Sequence, residues 1–197
     1  MTETENEIIK IVIHGRGGQG AVTASQIIGE AAYMSGNFKD IVAFPSFGAE
    51  RRGAPIQAYA KLSRNSKIWD RSAIAHPDIL IVFDESVLTQ DIASSLKKNG
   101  IFIANSDKSP DFFKTNYSLS DNTKIIVADI TKLSMEKDLI IDGNPIINTP
   151  ILGLLAKALP DLSLENLKKI IKNRMNPKLS HLNNELMEKG YNLAKIL

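Results

Sequence analysis

Ile8-Ile-Lys-Ile-Val-Ile-His-Gly-Arg-Gly-Gly-Gln-Gly20 is the stretch that decides the fold class. Ile8–Ile13 is apolar except for Lys10, the composition of a strand buried in a sheet. The glycines that follow end the strand in a tight turn. From Ala21 to Met34 the apolar and small residues fall at helical spacing, with Ala21, Ala24, Ala31 and Ala32 small enough to lie close against a sheet. Gly36 is placed to stop that helix. A buried strand, a glycine turn and a helix with a small-residue face are the opening unit of an open α/β sheet.

The same alternation continues outward. Asp40–Phe44 reads as a second strand closed by Pro45, 46–55 as a loop, and Ile56–Leu62 as a half-buried strand with apolar residues at every second position. Ile79–Phe83, apolar throughout and bounded by Asp78 and Asp84, has the pattern of a central strand covered on both faces. Ser86–Lys98 is expected to be helical and to end at Gly100, with Ile101–Ala104 and Ile125–Ala128 as further strands. Beyond them the chain turns helical. Thr149-Pro150 is expected to start one helix and Ser163 to cap the next. Leu179, Leu182, Leu186, Leu193 and Leu197 are expected to form the core-facing stripe of the last. The expectation is one three-layer α/β/α domain spanning 1–197, with a mostly parallel or mixed central sheet and a helical C-terminus.

Composition narrows the chemistry. A formal net charge of +2 is too small for a nucleic-acid footprint, and Asp161, Glu165, Glu185 and Glu188 dilute the lysines near the C-terminus. The chain has no cysteine, so it brings no disulfide, thiolate metal site or iron–sulfur ligand. His14, His76 and His181 are not at metal-ligand spacing. The acidic opening Met1–Glu7 is unlike a signal peptide, and no apolar run reaches membrane-spanning length; a cytoplasmic protein is expected, without nucleic-acid or membrane partners.

Two segments are candidates for function. Gly15-Arg16-Gly17-Gly18-Gln19-Gly20 leaves backbone amides at a helix N-terminus, where they suit an anion. Gly15, Gly17 and Gly20 also satisfy the dinucleotide fingerprint, but the acidic residue wanted at the end of the second strand is missing from Ala43-Phe44-Pro45-Ser46. The second segment, Phe44–Pro55, sets Glu50, Arg51 and Arg52 among aromatics, glycines and prolines. Both arginines can fork onto a carboxylate or phosphate, or fill a subunit interface, and the interface reading fits their aromatic company better. Both segments leave the carboxyl ends of their strands and are expected at one edge of the sheet. His14 is expected to be a structural histidine bonded to a backbone carbonyl. Asp84, an acid without an evident partner, reads as structural, and Trp69 is expected to pack near the sheet edge.

Taken together, His14–Thr23 and Phe47-Gly-Ala-Glu-Arg-Arg-Gly-Ala-Pro55 resemble the gamma subunits of the 2-oxoacid:ferredoxin oxidoreductases. Ile68–Arg71, Ala75–Ile79, Asn148–Gly153 and Gly190-Tyr191 fall where that family places similar elements, so the resemblance covers nearly the whole chain. The form Glu50–Pro55 is similar to the pyruvate and 2-oxoisovalerate branch. The resemblance implies a complex that oxidatively decarboxylates a 2-oxoacid with coenzyme A and passes electrons to ferredoxin. It further implies thiamine diphosphate, Mg2+ and iron–sulfur clusters on alpha, beta and delta type subunits, none bound by this chain alone. Gly15, Arg16, Gly17, Gly18, Gln19, Gly20, Arg51 and Arg52 would then form part of the coenzyme A side, with no catalytic or metal-binding residue here. Two readings stand beside it: a freestanding nucleotide- or flavin-binding oxidoreductase built on the glycine loop, and a scaffold that supplies contacts alone.

Overall fold

A computed structural model describes residues 8–46 and 52–197. The opening strand, β1 (Ile8–Arg16), runs three residues past its apolar stretch because its antiparallel neighbour continues to pair with it. After α1 (Ala21–Ser35), β2 (Asp40–Pro45) pairs antiparallel with β3 (Pro55–Ser63), and β3 pairs antiparallel with β1. On the other side of β1 lie β4 (Ile79–Val82), β5 (Ile101–Asn105) and β6 (Lys124–Ala128), all parallel to it. A short β9 (Lys195–Ile196) closes the far edge antiparallel to β6, giving the order β2-β3-β1-β4-β5-β6-β9.

Alternation of side chains along these strands builds two apolar layers. Ile11, Ile13, Ala58, Ala60 and Leu62 face α1, α5 (Leu152–Ala158), α6 (Leu164–Arg174) and α7 (Pro177–Leu193). Val12, Tyr59, Leu80 and Phe102 face the opposite way, toward α2 (Gln90–Ser94) and α3 (Pro110–Asn116). The expected three-layer arrangement and mixed sheet therefore hold. Gly36 ends α1 at a φ of 71°, donating its amide to the Tyr33 carbonyl, and Ser163 caps α6 by accepting from the Asn166 amide.

The structure corrects four local expectations. Ser86–Lys98 is not one helix: a 3-10 turn, Glu85–Val87, is capped by Asp84, and α2 starts afresh behind Thr89, whose hydroxyl accepts from the Ile92 amide. Each short side-chain cap restarts the ladder, so the two pieces cannot merge. Thr149-Pro150 sits in a tight turn, and α5 begins after Ile151 without a side-chain cap. The leucine stripe is only partly right. Leu186 is buried, but Leu193 and Leu197 are exposed, and the buried face of α7 is Ser180, Asn183, Leu186, Met187 and Gly190. Small residues set that face because a Cβ on Gly153 of α5 would lie 2.0 Å from the Met187 carbonyl oxygen. Trp69 does not pack near the sheet edge: 86% of it is exposed.

Candidate functional site

The site follows from strand order. From β1 the chain leaves through α1 on one face toward β2; from β4 it leaves through α2 on the other face toward β5. The carboxyl ends of β1 and β4 are therefore a topological switch point, where the two connections diverge and open a crevice. A cleft of about 690 Å3 lies there, lined by Arg16–Gln19, Arg52, Asp84, Asn105 and Thr131, among others. That is a volume suited to a small organic ligand.

The glycine loop turns as its sequence requires. Gly18 and Gly20 have φ of 95° and 78°, a region that L side chains avoid, and Gly20 is the N-cap of α1. A Cβ at Gly15 would lie 3.0 Å from Gln19 Oε1 and 3.2 Å from Phe83 Cβ, so close approach to β4 also demands glycine. The loop's amides are less free than the motif suggested. The Gly17 amide donates to the Ala54 carbonyl at 2.8 Å, the Gln19 amide to the Arg16 carbonyl at 3.0 Å, and the Arg16 amide to Gln19 Oε1 at 2.7 Å.

Arg16 is committed to the protein itself. Its Nε lies 3.3 Å from Asp84 Oδ2, its Nη1 donates to the Gly53 carbonyl at 2.8 Å, and its Nη2 donates to Ser86 Oγ at 2.7 Å. Gln19 Nε2 donates to Asp84 Oδ2 at 3.1 Å. Asp84 is thus partnered, contrary to its reading from sequence. Burial alone would raise its pKa, but the Ser86 hydroxyl and amide, the Gln19 amide and the Arg16 charge together bring it below the ordinary value. The network closes the crevice between β1 and β4 with one cation paired to one anion.

The second segment meets the first at this point. Gly17 and Arg52 form a parallel backbone bridge, with the Gly53 amide donating to the Gly17 carbonyl at 3.0 Å. The expectation that both segments share one sheet edge is met at Arg52; Glu50 and Arg51 lie outside the described residues. Arg52 is exposed on the cleft rim, and among the described residues no acid pairs with it. Glu85 lines the same cleft and forms an ion pair with Lys108.

Other residues of the site were not singled out from sequence. Asn105, buried at the end of β5, donates to the Phe83 carbonyl at 2.9 Å and to Thr131 Oγ1 at 2.9 Å, and accepts from the Thr131 amide at 3.0 Å. It ties β4, β5 and α4 (Ile130–Glu136) together at the cleft floor. A two-stranded flap, β7 (Ile140–Ile141) and β8 (Asn144–Pro145), lines one wall. Asp142 and Gly143 both have positive φ, and the Asp-Gly pair after Ile140-Ile141 was a legible signal for that hairpin. His14, at the cleft end of β1, is 5% exposed, and burial lowers its pKa to about 4, so the ring is neutral.

An open α/β domain with a glycine loop at its switch point defines a broad class of small-ligand folds, and comparison with known proteins narrows it. The pyruvate ferredoxin/flavodoxin oxidoreductase family matches residues 10–193, and the chain belongs to that family, among its gamma-type subunits. It is 41% identical over 164 residues to pyruvate synthase subunit PorC of Methanosarcina barkeri, covering 83% of this chain and 84% of that one. It is 36% identical over 190 residues to the pyruvate/ketoisovalerate oxidoreductases common subunit gamma of Pyrococcus furiosus, covering 96% and 98%. The crystal structure of pyruvate oxidoreductase subunit PORC from Thermotoga maritima superimposes with a TM-score of 0.81 at 32% identity, covering 97% and 99%. Among the described residues no helix is long and apolar enough to cross a membrane.

Proposed function

We propose that this chain works as the gamma subunit of a pyruvate:ferredoxin oxidoreductase, and that its switch-point cleft forms part of the coenzyme A side of the complex. The reaction is oxidative decarboxylation of pyruvate, or a related 2-oxoacid, with coenzyme A. Acyl-CoA and CO2 leave, and the electrons pass to ferredoxin. The observation that carries the reading is the backbone bridge between Gly17 and Arg52, which joins the two family motifs at the mouth of one cleft.

The cleft residues divide the work. Arg16 is neutralised by Asp84 and held at the Gly53 carbonyl and the Ser86 hydroxyl, so it shapes the crevice and contributes little net charge. Arg52 sits beside Gly18 with its charge unspent among the described residues, and is the better partner for a coenzyme A phosphate. The amino end of α1, capped by Gly20 with no side chain across it, adds a favourable field for an anion. Glu50 and Arg51 are assigned to the contact with neighbouring subunits, where arginine beside aromatics is enriched.

Thiamine diphosphate, Mg2+ and the iron–sulfur clusters belong in this reading to alpha, beta and delta type subunits. The donor set here does not fit a cluster, since the sequence contains no cysteine. The described residues likewise include no cluster of three acid or histidine groups that could hold a metal ion. A gamma subunit common to a pyruvate and a ketoisovalerate enzyme, as in the Pyrococcus relative, fits a division in which the acid is chosen elsewhere.

The test has two parts. A tagged chain expressed in its native host should copurify with thiamine-binding and iron–sulfur subunits, and the eluate should reduce a ferredoxin substitute only with pyruvate and coenzyme A. A solitary chain that binds NAD, NADP or FMN by itself would overturn the assignment. In the assembled complex, Arg52→Ala should raise KM for coenzyme A at least about tenfold and leave KM for pyruvate unchanged. An unaltered KM would remove the phosphate contact.

A further inference from the structure

The segment between β3 and β4 crosses the molecule without regular structure and carries the one tryptophan of the chain. It is not loose. The Ile68 amide donates to Asp40 Oδ2 at 2.7 Å, pinning the segment to the start of β2. Lys61, on β3 and only 4% exposed, reaches Asp70 with its Nζ at 2.9 Å from Oδ2 and donates to the Asp70 carbonyl at 3.0 Å. Asp70 also accepts from the Ser72 amide and hydroxyl, both at 2.7 Å. A backbone held this firmly would be expected to tuck its largest side chain away. Instead Trp69 stands 86% exposed, with Lys67 Nζ 5.5 Å from the ring centroid.

Among the described residues, the charge left unpaired near the indole in sequence is positive. The acids of this neighbourhood are already satisfied inside the chain. Asp40 accepts from the Ile41 and Ile68 amides, Asp70 is taken by Lys61 and Ser72, and Asp161 by Arg64 and Asn37. Lys39, Lys67 and Arg71 are exposed and have no acid partner among the described residues. Strand addition along β2, the adjacent sheet edge, is disfavoured: the Asp40 carboxylate already takes the Ile41 amide, and Pro45 offers no N–H. What remains is an exposed indole on a hydrogen-bonded segment, with Lys67 against its ring and Arg71 two residues further on, and tryptophan and arginine are enriched among the residues that dominate binding energy at protein interfaces.

We infer that Trp69, with Lys67 and Arg71 flanking it, is an anchor that inserts into an apolar pocket rimmed by carboxylates on another subunit of the complex. The inference rests on the reading of this chain as a complex subunit and adds the surface by which it is held. Lys61 acts as a positioning residue, since it fixes the backbone on which the indole is presented.

The experiment uses the complex reconstituted from this chain and its remaining subunits. With 5-fluorotryptophan incorporated only into this chain, the single 19F resonance should show a solvent isotope shift in the free subunit and lose it on assembly. Trp69→Ala should weaken association roughly 30-fold without lowering the free subunit's melting temperature. Lys67→Glu/Arg71→Glu should weaken association most at low salt and flatten its salt dependence. A resonance that keeps its solvent shift in the complex, or a Trp69→Ala subunit that associates as tightly as wild type, would overturn the anchor and leave the complex reading intact. A wild-type chain that joins no complex would instead remove the subunit reading, and this inference with it.

Discussion

The cleft at the carboxyl ends of β1 and β4 and the segment around Trp69 handle the same kinds of residue in opposite ways. In the cleft, Arg16 is spent on Asp84, Ser86 and Gly53, so its charge is balanced and the loop geometry is set before any ligand arrives, while Arg52 keeps its charge on the rim. Around Trp69 the acids are paired within the chain, with Ile41, Ile68, Lys61, Ser72 and Arg64, and Lys39, Lys67, Arg71 and the indole are left exposed. A crevice whose inner charges are paired, with Arg52 on its rim, suits a small anionic ligand that must be oriented. An uncompensated patch beside a large exposed ring suits a macromolecular partner that supplies the missing charge and covers the apolar area.

If that contrast is right, changes at the cleft should cost stability of the free chain and changes at the Trp69 segment should not. Gly20→Val should cost most, about 3 kcal/mol in urea unfolding. A β-branched side chain is strained at a φ of 78°, and its Cβ would lie 2.5 Å from Asn148 Nδ2. Acidification should come next. His14 titrates near 4 in the fold and near 6.5 in the unfolded chain, so between those values the unfolded chain binds the extra proton and stability falls with pH. From pH 7 to pH 4.5 this one group should remove about 2 kcal/mol, and His14→Gln should lack that part of the slope.

Asp84→Asn should cost about 1.5 kcal/mol at pH 7, because Arg16 and Ser86 lose a charged acceptor at a half-buried position. The folded pKa of Asp84 is below its unfolded value, so this stability is present above the ordinary carboxylate pKa and is lost as pH falls through the lowered one. Lys61→Met should change stability by less than about 1 kcal/mol, because the buried lysine becomes an apolar side chain of similar size while Asp70, 66% exposed, stays hydrated and keeps its bonds to Ser72. The same change should broaden the Trp69 resonance by freeing its backbone. Trp69→Ala in the free chain should shift stability by no more than about 0.5 kcal/mol, and a larger loss would mean that the ring is packed in solution and would collapse the contrast.

The sequence made some elements legible and hid others for physical reasons. The β1–loop–α1 unit was readable because buried strand, glycine turn and small-faced helix each leave a local mark. Ser163 was readable because a helix cap depends on residues three apart. The exposed end of α7 was misread because leucine spacing reports an apolar stripe and says nothing of what lies against it; Gly153 and Gly190 decide that contact. Two partners of Asp84 were invisible because they lie 65 and 68 residues away, Gln19 and Arg16; the third, Ser86, is two residues on and was open to a reading as a local cap. Asp142-Gly143 could have been read as a hairpin, but not its place in the cleft wall.

By itself the sequence determined the class of fold, the glycine loop and the family, since periodicity, turn chemistry and motif are properties of neighbouring residues. Only the tertiary structure decided that β3 enters between β1 and β2, that the switch point falls between β1 and β4, and that Arg16 is bound while Trp69 is bare. Those outcomes depend on which distant segments meet. Hydrogen bonds, ion pairs and burial are settled between such segments, and no local pattern records the partner.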